Sequence, residues 1–448
     1  MNNRKSAPSL YARFEHVVEQ YCPDPLVFAI FLTAVMAVLA LGLTDTTPAG
    51  AISAWGNGLH SLLAFTMQMC LIIITAYVLA HTRAINALLQ ALGKMPRSTW
   101  QAYTLVTVSS AIFSLLCWPL GPIAGGLIAR EVALNAQRRN LSVNYPLLAA
   151  AAFGGFVVWE MGYSSSIGLA MATPGNPLES IIGGTIGVGD TLLSWWNLLT
   201  IVTTVATVLA TVMFFHYRHQ GRSSTAPAHR TEVTLSEEAR PGLMGRLENG
   251  RSVSTLLSLM LFGFLIYWFA TRGADLSLNI VNWSFLALGL LLANSSLHYA
   301  ELFANGARVA SPVLLQYPLY GGMMGLALQS GLTEKFTAFI ISIASADSLP
   351  IIGFLSAGLI NIFIPSGGAQ WAIQGPTFIS AAQSLDVSLP VITMSIAYGD
   401  QWTNLIQPFC AVPLLAVTGL KLREIYSYCI VICLASALPM MLGLLLAG

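Results

Sequence analysis

The sequence predicts an all-α polytopic membrane protein of inverted-repeat architecture, with about nine transmembrane helices, two re-entrant hairpins and two interrupted helices. Three observations carry that prediction. Only 9% of the 448 residues are charged and 55% are apolar, whereas a soluble domain carries about 25% charged residues. Apolar runs recur along the chain at about the 20 residues that a bilayer crossing needs. Two distant stretches also interrupt their own apolar helices in the same manner. Ser110-Ala111, seven residues and Pro119-Leu120-Gly121 are answered by Ser356-Ala357, seven residues and Pro365-Ser366-Gly367-Gly368. Each is followed by a long apolar segment broken near its middle, at 160–166 and at 399–404.

Taken in order, residues 1–24 form a polar N-terminus; 1–19 lack the apolar core and small-residue cleavage site of a signal peptide. Crossings are expected near 25–44, 59–80, 146–172, 192–215, 253–271, 281–294, 309–330, 389–416 and 425–447. The stretches 102–130 and 350–382 carry Pro and Gly at their centres and could be spans or hairpins. Charge decides between these, because Lys and Arg accumulate on the cytoplasmic side. Arg83, Lys94 and Arg97 precede 102–130, and Arg130, Arg138 and Arg139 follow it, so it enters and leaves on one side. With 350–382 treated likewise, 18 of the 20 basic residues are cytoplasmic and only Arg272 and Lys335 lie outside. The N-terminus is then cytoplasmic and the C-terminus periplasmic. The Arg-, Ser-, Glu- and Pro-rich stretch 216–252 reads as a cytoplasmic linker.

Internal matches support a repeat. Asn57-Gly58 and Gln68 match Asn305-Gly306 and Gln316 at an offset of 248. Ser110, Ala111 and Pro119 match Ser356, Ala357 and Pro365 at 246; Pro146 and Gly155 match Pro390 and Gly399 at 244. The copies are 25–215 and 273–446. The additional crossing 253–271 belongs to neither and turns the second copy upside down, an arrangement found in many secondary transporters, whose sites lie at paired helix breaks.

Irregular backbone survives at membrane depth only when buried in protein or lining a wet cavity. The breaks therefore locate the candidate site. Its substrate-binding groups are expected to be Ser164, Ser165, Ser166 and Asn176 in the first copy, and Ser366, Gly367, Gly368, Thr403, Asn404 and Gln407 in the second. Asp400 and Glu160 are intramembrane carboxylates, which are expensive and usually functional, and are the candidate ion-coupling groups. The coupling ion is H+ or Na+, and a sodium ion would sit near Asp400 and Asn404. Asn404 and Gln407, three apart, share a face if that segment is helical. No Lys or Arg falls in the breaks, which suits a small monocarboxylate better than a bulky dianion. Trp118, Trp371 and Trp402 are expected to pack rather than bind.

Other function classes fare worse. The net charge of +1 argues against a nucleic-acid partner, and no GxxxxGK[ST] phosphate loop is present. The six cysteines form no CxxC pair and the seven histidines sit at segment ends or in loops, so no resident metal, cofactor or enzymatic chemistry is expected. A channel would want a continuous polar stripe or a charged ring.

Six stretches taken together resemble the bacterial short-chain fatty acid transporter family of the ion-transporter superfamily. They are Pro23-Asp24-Pro25-Leu26, Phe65-Thr66-Met67-Gln68-Met69, Ala172-Thr173-Pro174-Gly175-Asn176-Pro177, Pro365-Ser366-Gly367-Gly368, Trp371 with Gln374-Gly375-Pro376, and Ala397-Tyr398-Gly399-Asp400-Gln401-Trp402. The resemblance covers residues 10–446 apart from the linker. It implies secondary uptake of butyrate- or acetoacetate-type acids across the bacterial inner membrane, by a homodimer with a scaffold domain and a mobile transport domain. The alternatives are a dicarboxylate or aminobenzoyl-glutamate-type carrier, or an anion channel. Gly399-Asp400 with Thr403-Asn404 and Pro408 is similar to a stretch of the aminobenzoyl-glutamate relatives. In divalent anion relatives the hairpin tips and helix breaks hold sodium and the substrate carboxylate, roles that by resemblance fall on Ser366 to Gly368, Thr403, Asn404 and Ser164 to Ser166. Two departures stand out: Glu160 where the family pattern has a Gly-rich break, and Cys117-Trp118-Pro119 where it has Asn-Trp-Gly at the first hairpin tip.

Overall fold

The structure is a computed structural model that describes residues 20, 23–163, 165–173, 179–218, 242–273 and 278–447. Among them every regular element is helical. In chain order these are α1 (Pro25–Leu43), α2 (Pro48–Gly58), α3 (Leu63–His81), α4 (Arg83–Lys94), α5 (Thr99–Leu116), α6 (Leu120–Arg138) and α7 (Tyr145–Gly155). A 3-10 turn, Phe156–Met161, leads to α8 (Ser166–Ala172), followed by α9 (Glu179–Ile182) and α10 (Trp195–Arg218). The second half holds α11 (Leu243–Asn249), α12 (Ser252–Arg272), α13 (Leu278–Leu292), α14 (Ser296–Gln329), α15 (Leu332–Ser342), α16 (Leu349–Asn361), α17 (Gly367–Ser384) and α18 (Leu389–Thr403). A second 3-10 turn, Asn404–Ile406, precedes α19 (Pro408–Thr418) and α20 (Leu422–Ala447).

Short polar residues and prolines set the helix boundaries. Asp24 caps α1 by accepting from Leu26 N at 3.0 Å, with Pro25 at the first position. Ser98 caps α5 and Asn144 caps α7 in the same way. Pro408 opens α19, where its missing N–H costs nothing. Gly419 ends α19 in the left-handed region at φ 72°, which glycine adopts without a Cβ penalty.

Five described helices are long and apolar enough to cross a membrane, or six if the pair Thr66–His81 and Arg83–Lys94, bent by 82°, counts as one. These coincide with six of the nine expected crossings. The remaining three differ in form. The expected span 281–294 is the 15-residue α13. The span 309–330 is the second half of the 34-residue α14, which runs on through Pro312 and Pro318. The span 389–416 breaks at 404–407. The expected linker 216–252 ends in α11 and otherwise lies mainly outside the described residues. Helix α12 leaves Leu256, Met260, Ile266 and Tyr267 more than half exposed, an apolar face of the kind that lipid covers.

The helices pack as two groups. Helices α1, α2 and α3 pack on α14, and α13 joins α3 to α12. In the second group α5, α6, α7, α10 and α16 to α20 surround the two 3-10 turns. Tyr317 and Tyr320 of α14 meet Phe409 of α19 across the seam, with ring centroids 4.0 and 5.1 Å apart.

Both predicted hairpins are helix–turn–helix units, α5–α6 turning at 117–119 and α16–α17 at 362–366. Each is seated on the broken segment that follows it by one close glycine contact. A Cβ on Gly155 would lie 2.9 Å from Ala111 N, and one on Gly399 would lie 2.6 Å from Ala357 Cβ. At both places the Ser-Ala pair of the hairpin limb meets backbone that no larger residue could bring so near.

Candidate functional site

The two broken segments meet at their breaks. Glu160 lies in the first 3-10 turn and is fully buried. Its backbone N–H donates to Gln401 Oε1 on α18 at 2.7 Å, which joins the two halves directly. Its carboxylate accepts from Ser165 Oγ at 2.6 Å, from Ser166 Oγ, and from Ile167 N at 3.3 Å. Ser165 Oγ in turn accepts from Gly168 N at 2.8 Å and caps α8. The chain must leave helical geometry at Gly162, where φ −129° and ψ −160° are extended, so that Glu160 can reach forward to the start of the next helix.

Asp400 is 1% exposed, and among the described residues its Oδ1 has no hydrogen-bond partner. The second hairpin tip lies between the two acids. A Cβ on Gly367 would lie 2.5 Å from Glu160 Oε1 and 3.4 Å from Asp400 Oδ2, and would overlap Ser166 Oγ. Only glycine lets the start of α17 come this close. The first amides of α17 have no acceptor within the helix, and Gly367, which opens it, is the residue that lies against both carboxylates. Among the described residues no Lys or Arg bonds to either acid; the donors to Glu160 are hydroxyls and backbone. Three such donors offset much of the desolvation cost of Glu160, whereas among the described residues Asp400 Oδ1 has no donor to offset its burial.

One turn further along the second break is a mesh of amides. Asn361, the last residue of α16, donates to Thr403 Oγ1 at 2.9 Å and to Asn404 Oδ1 at 2.6 Å. Thr403 Oγ1 donates to Gly358 O at 2.8 Å, and Gln407 Nε2 donates to Asn361 O. Asn404 and Gln407 thus converge on Asn361, but not by sharing a helical face. Gln407 is extended, with φ −90° and ψ 121°, because the helix has already ended before Pro408.

Of the expected site residues, Glu160, Ser165, Ser166, Gly367 and Asp400 form one cluster, and Thr403, Asn404 and Gln407 form the adjoining mesh. Ser366 precedes α17 without a side-chain capping bond, and Gly368 has open space where a Cβ would go. Ser164 and Asn176 lie outside the described residues. The three tryptophans pack: Trp118 lies 6.0 Å from Trp159, Trp371 Nε1 donates to Met171 Sδ at 3.1 Å, and Trp402 stacks on Phe354 at 4.8 Å.

Sequence reasoning passed over Asn361 and Gln370, and quoted Gln374 and Gln401 only within family-like stretches without assigning them to the site. Gln370 Nε2 donates to Ala357 O and to Gln374 Oε1, both at 2.9 Å, and Gln374 Nε2 donates to Ser356 Oγ at 2.9 Å. Their shared signal is a carboxamide inside an apolar run, which is as costly to bury unpaired as a hydroxyl.

Comparison with known proteins places the chain. The family described as "Short chain fatty acid transporter" matches residues 9–447. A protein of Escherichia coli strain K12 named "Putative short-chain fatty acid transporter" is 38% identical over 434 residues, covering 96% of this chain and 97% of its own. One of the same name from Haemophilus influenzae is 36% identical over 438 residues, covering 95% and 97%. The crystal structure of the Alcanivorax borkumensis YdaH transporter superposes with a TM-score of 0.42 at 15% identity, over 95% of this chain and 98% of that one. By the extent of the family match and the identity to both relatives, the chain belongs to the short-chain fatty acid transporter family.

Proposed function

We propose that this membrane transporter takes up short-chain monocarboxylates of the butyrate and acetoacetate type across the bacterial inner membrane, coupled to H+ or Na+. The observation that carries this reading is the convergence of both broken helices and the second hairpin tip on one buried polar site. A substrate carboxylate would meet the α17 amides at Gly367 and Gly368 and the Thr403–Asn404–Gln407 mesh. The coupling ion would be held at Asp400, whose Oδ1 lacks a partner. Glu160, already holding three donors, would fix the geometry of the first break. Binding ion and substrate against the same hairpin tip links the two energetically.

The inverted repeat is part of the same reading. Shifting Pro48 and His81 by 248 gives the bounds of α14, residues 296 and 329. The matched contacts Gly155–Ala111 and Gly399–Ala357 also support it. The mechanism would be elevator-like alternating access in a homodimer. The second helix group would move against α1 to α3 and α12 to α14, with the N-terminus cytoplasmic and the C-terminus periplasmic. Reconstitution into liposomes tests the reading. Labelled butyrate should accumulate under an imposed pH or sodium gradient, and absence of gradient-dependent uptake of every short-chain acid tried would refute it.

A further inference from the structure

A cavity of about 760 Å3 opens at one end of the seam between the two helix groups. Its walls come from α14 and α19, the helices whose Tyr317–Phe409 stack joins the groups. Lys421 and Arg423, both exposed, line its rim. Two acids stand near them: Asp24, also a lining residue, accepts from Leu26 N at 3.0 Å, and Glu424, next to Arg423 in the chain, accepts from Lys421 N at 2.7 Å. Deeper, Gln316 lines the wall at 6% exposure, and among the described residues its Oε1 has no partner. Apart from Ser311, the rest of the wall is apolar, with Leu26, Leu315, Val412 and Leu415. Phe409 lies one turn of α19 beyond Val412 and two residues from Gln407 of the amide mesh.

We infer that this cavity is an anion vestibule for the transported acid, an inference that rests on the proposed transport function. Lys421 and Arg423, cytoplasmic by the charge pattern, hold a small carboxylate on the side where uptake releases it and where reverse loading begins, as cationic side chains attract anions. The free amide of Gln316 receives it, since a carboxamide can turn to present either its NH2 or its oxygen. The apolar wall accommodates a short aliphatic tail. The Tyr317–Phe409 stack separates this waiting position from the mesh at Asn404 and Gln407.

The test uses Ser311→Cys, on the cavity wall, in a Cys22→Ser background, with a membrane-impermeant thiol reagent applied from each side in turn. Butyrate should slow labelling from the Lys421 side in vesicles of zwitterionic phosphatidylcholine. The Lys421→Gln/Arg423→Gln protein should lose that protection. Its half-saturation for uptake from that side should rise by about tenfold at low salt, with a smaller rise at high salt. The Lys421→Arg/Arg423→Lys protein, which keeps both charges, should behave as wild type. Labelling indifferent to butyrate, or unchanged half-saturation in the neutralised protein, would overturn the vestibule while leaving wild-type uptake standing. Protection that appears only with anionic phospholipid would assign the cavity to lipid and overturn it equally. If wild-type liposomes take up no short-chain acid, the transport reading fails and the vestibule falls with it.

Discussion

The two broken segments are built alike and finished differently. Both seat a glycine on the Ser-Ala step of a hairpin, Gly155 at Ala111 and Gly399 at Ala357, and both pass through a 3-10 turn before helix resumes. At the first break the carboxylate of Glu160 turns inward and accepts from Ser165, Ser166 and Ile167. The first hairpin tip is closed over by rings, with Trp118 about 6 Å from both Phe156 and Trp159. At the second break the acid, Asp400, is left with an unpartnered oxygen among the described residues, and α17 opens on two glycines, the second with open space where a Cβ would go. The contrast teaches that one backbone device can serve two ends. In the first half the carboxylate is closed on by its own neighbours; in the second, among the described residues, one carboxylate oxygen is left without a donor.

Paired substitutions can break or sharpen that comparison. The largest effect is expected from Glu160→Ala, which strands three buried donors at about 1–3 kcal/mol each. Its thermal unfolding in detergent should fall far below wild type, whereas Asp400→Asn, which strands no donor, should melt close to wild type. Equal losses would mean that the two acids do the same job. Next come Gly155→Ala and Gly399→Ala, each driving a methyl into hairpin backbone at about 1–3 kcal/mol. Their melting shifts should match, and a several-fold disparity would argue against equivalent contacts.

Gly367→Ala would place its methyl among Ser166, Glu160 and Asp400, and is expected to abolish butyrate uptake. Gly368→Ala, one residue on and in open space, should leave uptake intact. The smallest effect separates the matched glutamines. Gln68→Leu should cost under about 1 kcal/mol through its lost bond to Asn279, and Gln316→Leu should leave melting unchanged, as read by the same unfolding assay.

Much of this was legible in the sequence because membrane-embedded polar and helix-breaking residues are conspicuous against an apolar background. The turns at Pro119 and Pro365–Gly368 and the breaks at 160–166 and 399–404 follow from spacing. Gly367 and Asp400 follow from the cost of such residues at depth. What spacing cannot give is which groups close on which. The bond from Glu160 N to Gln401 crosses 241 residues, and the convergence of Asn404 and Gln407 on Asn361 depends on the chain leaving helix before Pro408. The continuity of α14 through Pro312 and Pro318 was hidden for a related reason. A proline-bearing helix is indistinguishable in sequence from two spans or one short one, and the packing of α1, α2 and α3 along its length holds it together.

The central claim is that the unpartnered carboxylate at the second break couples an ion to acid uptake. The most direct measurement compares wild type and Asp400→Asn in liposomes, following labelled butyrate with pH and sodium gradients imposed separately. The account predicts concentrative uptake by wild type under one of the two gradients, and none by the variant despite an unchanged melting temperature. Equal gradient-driven accumulation by both proteins would contradict it.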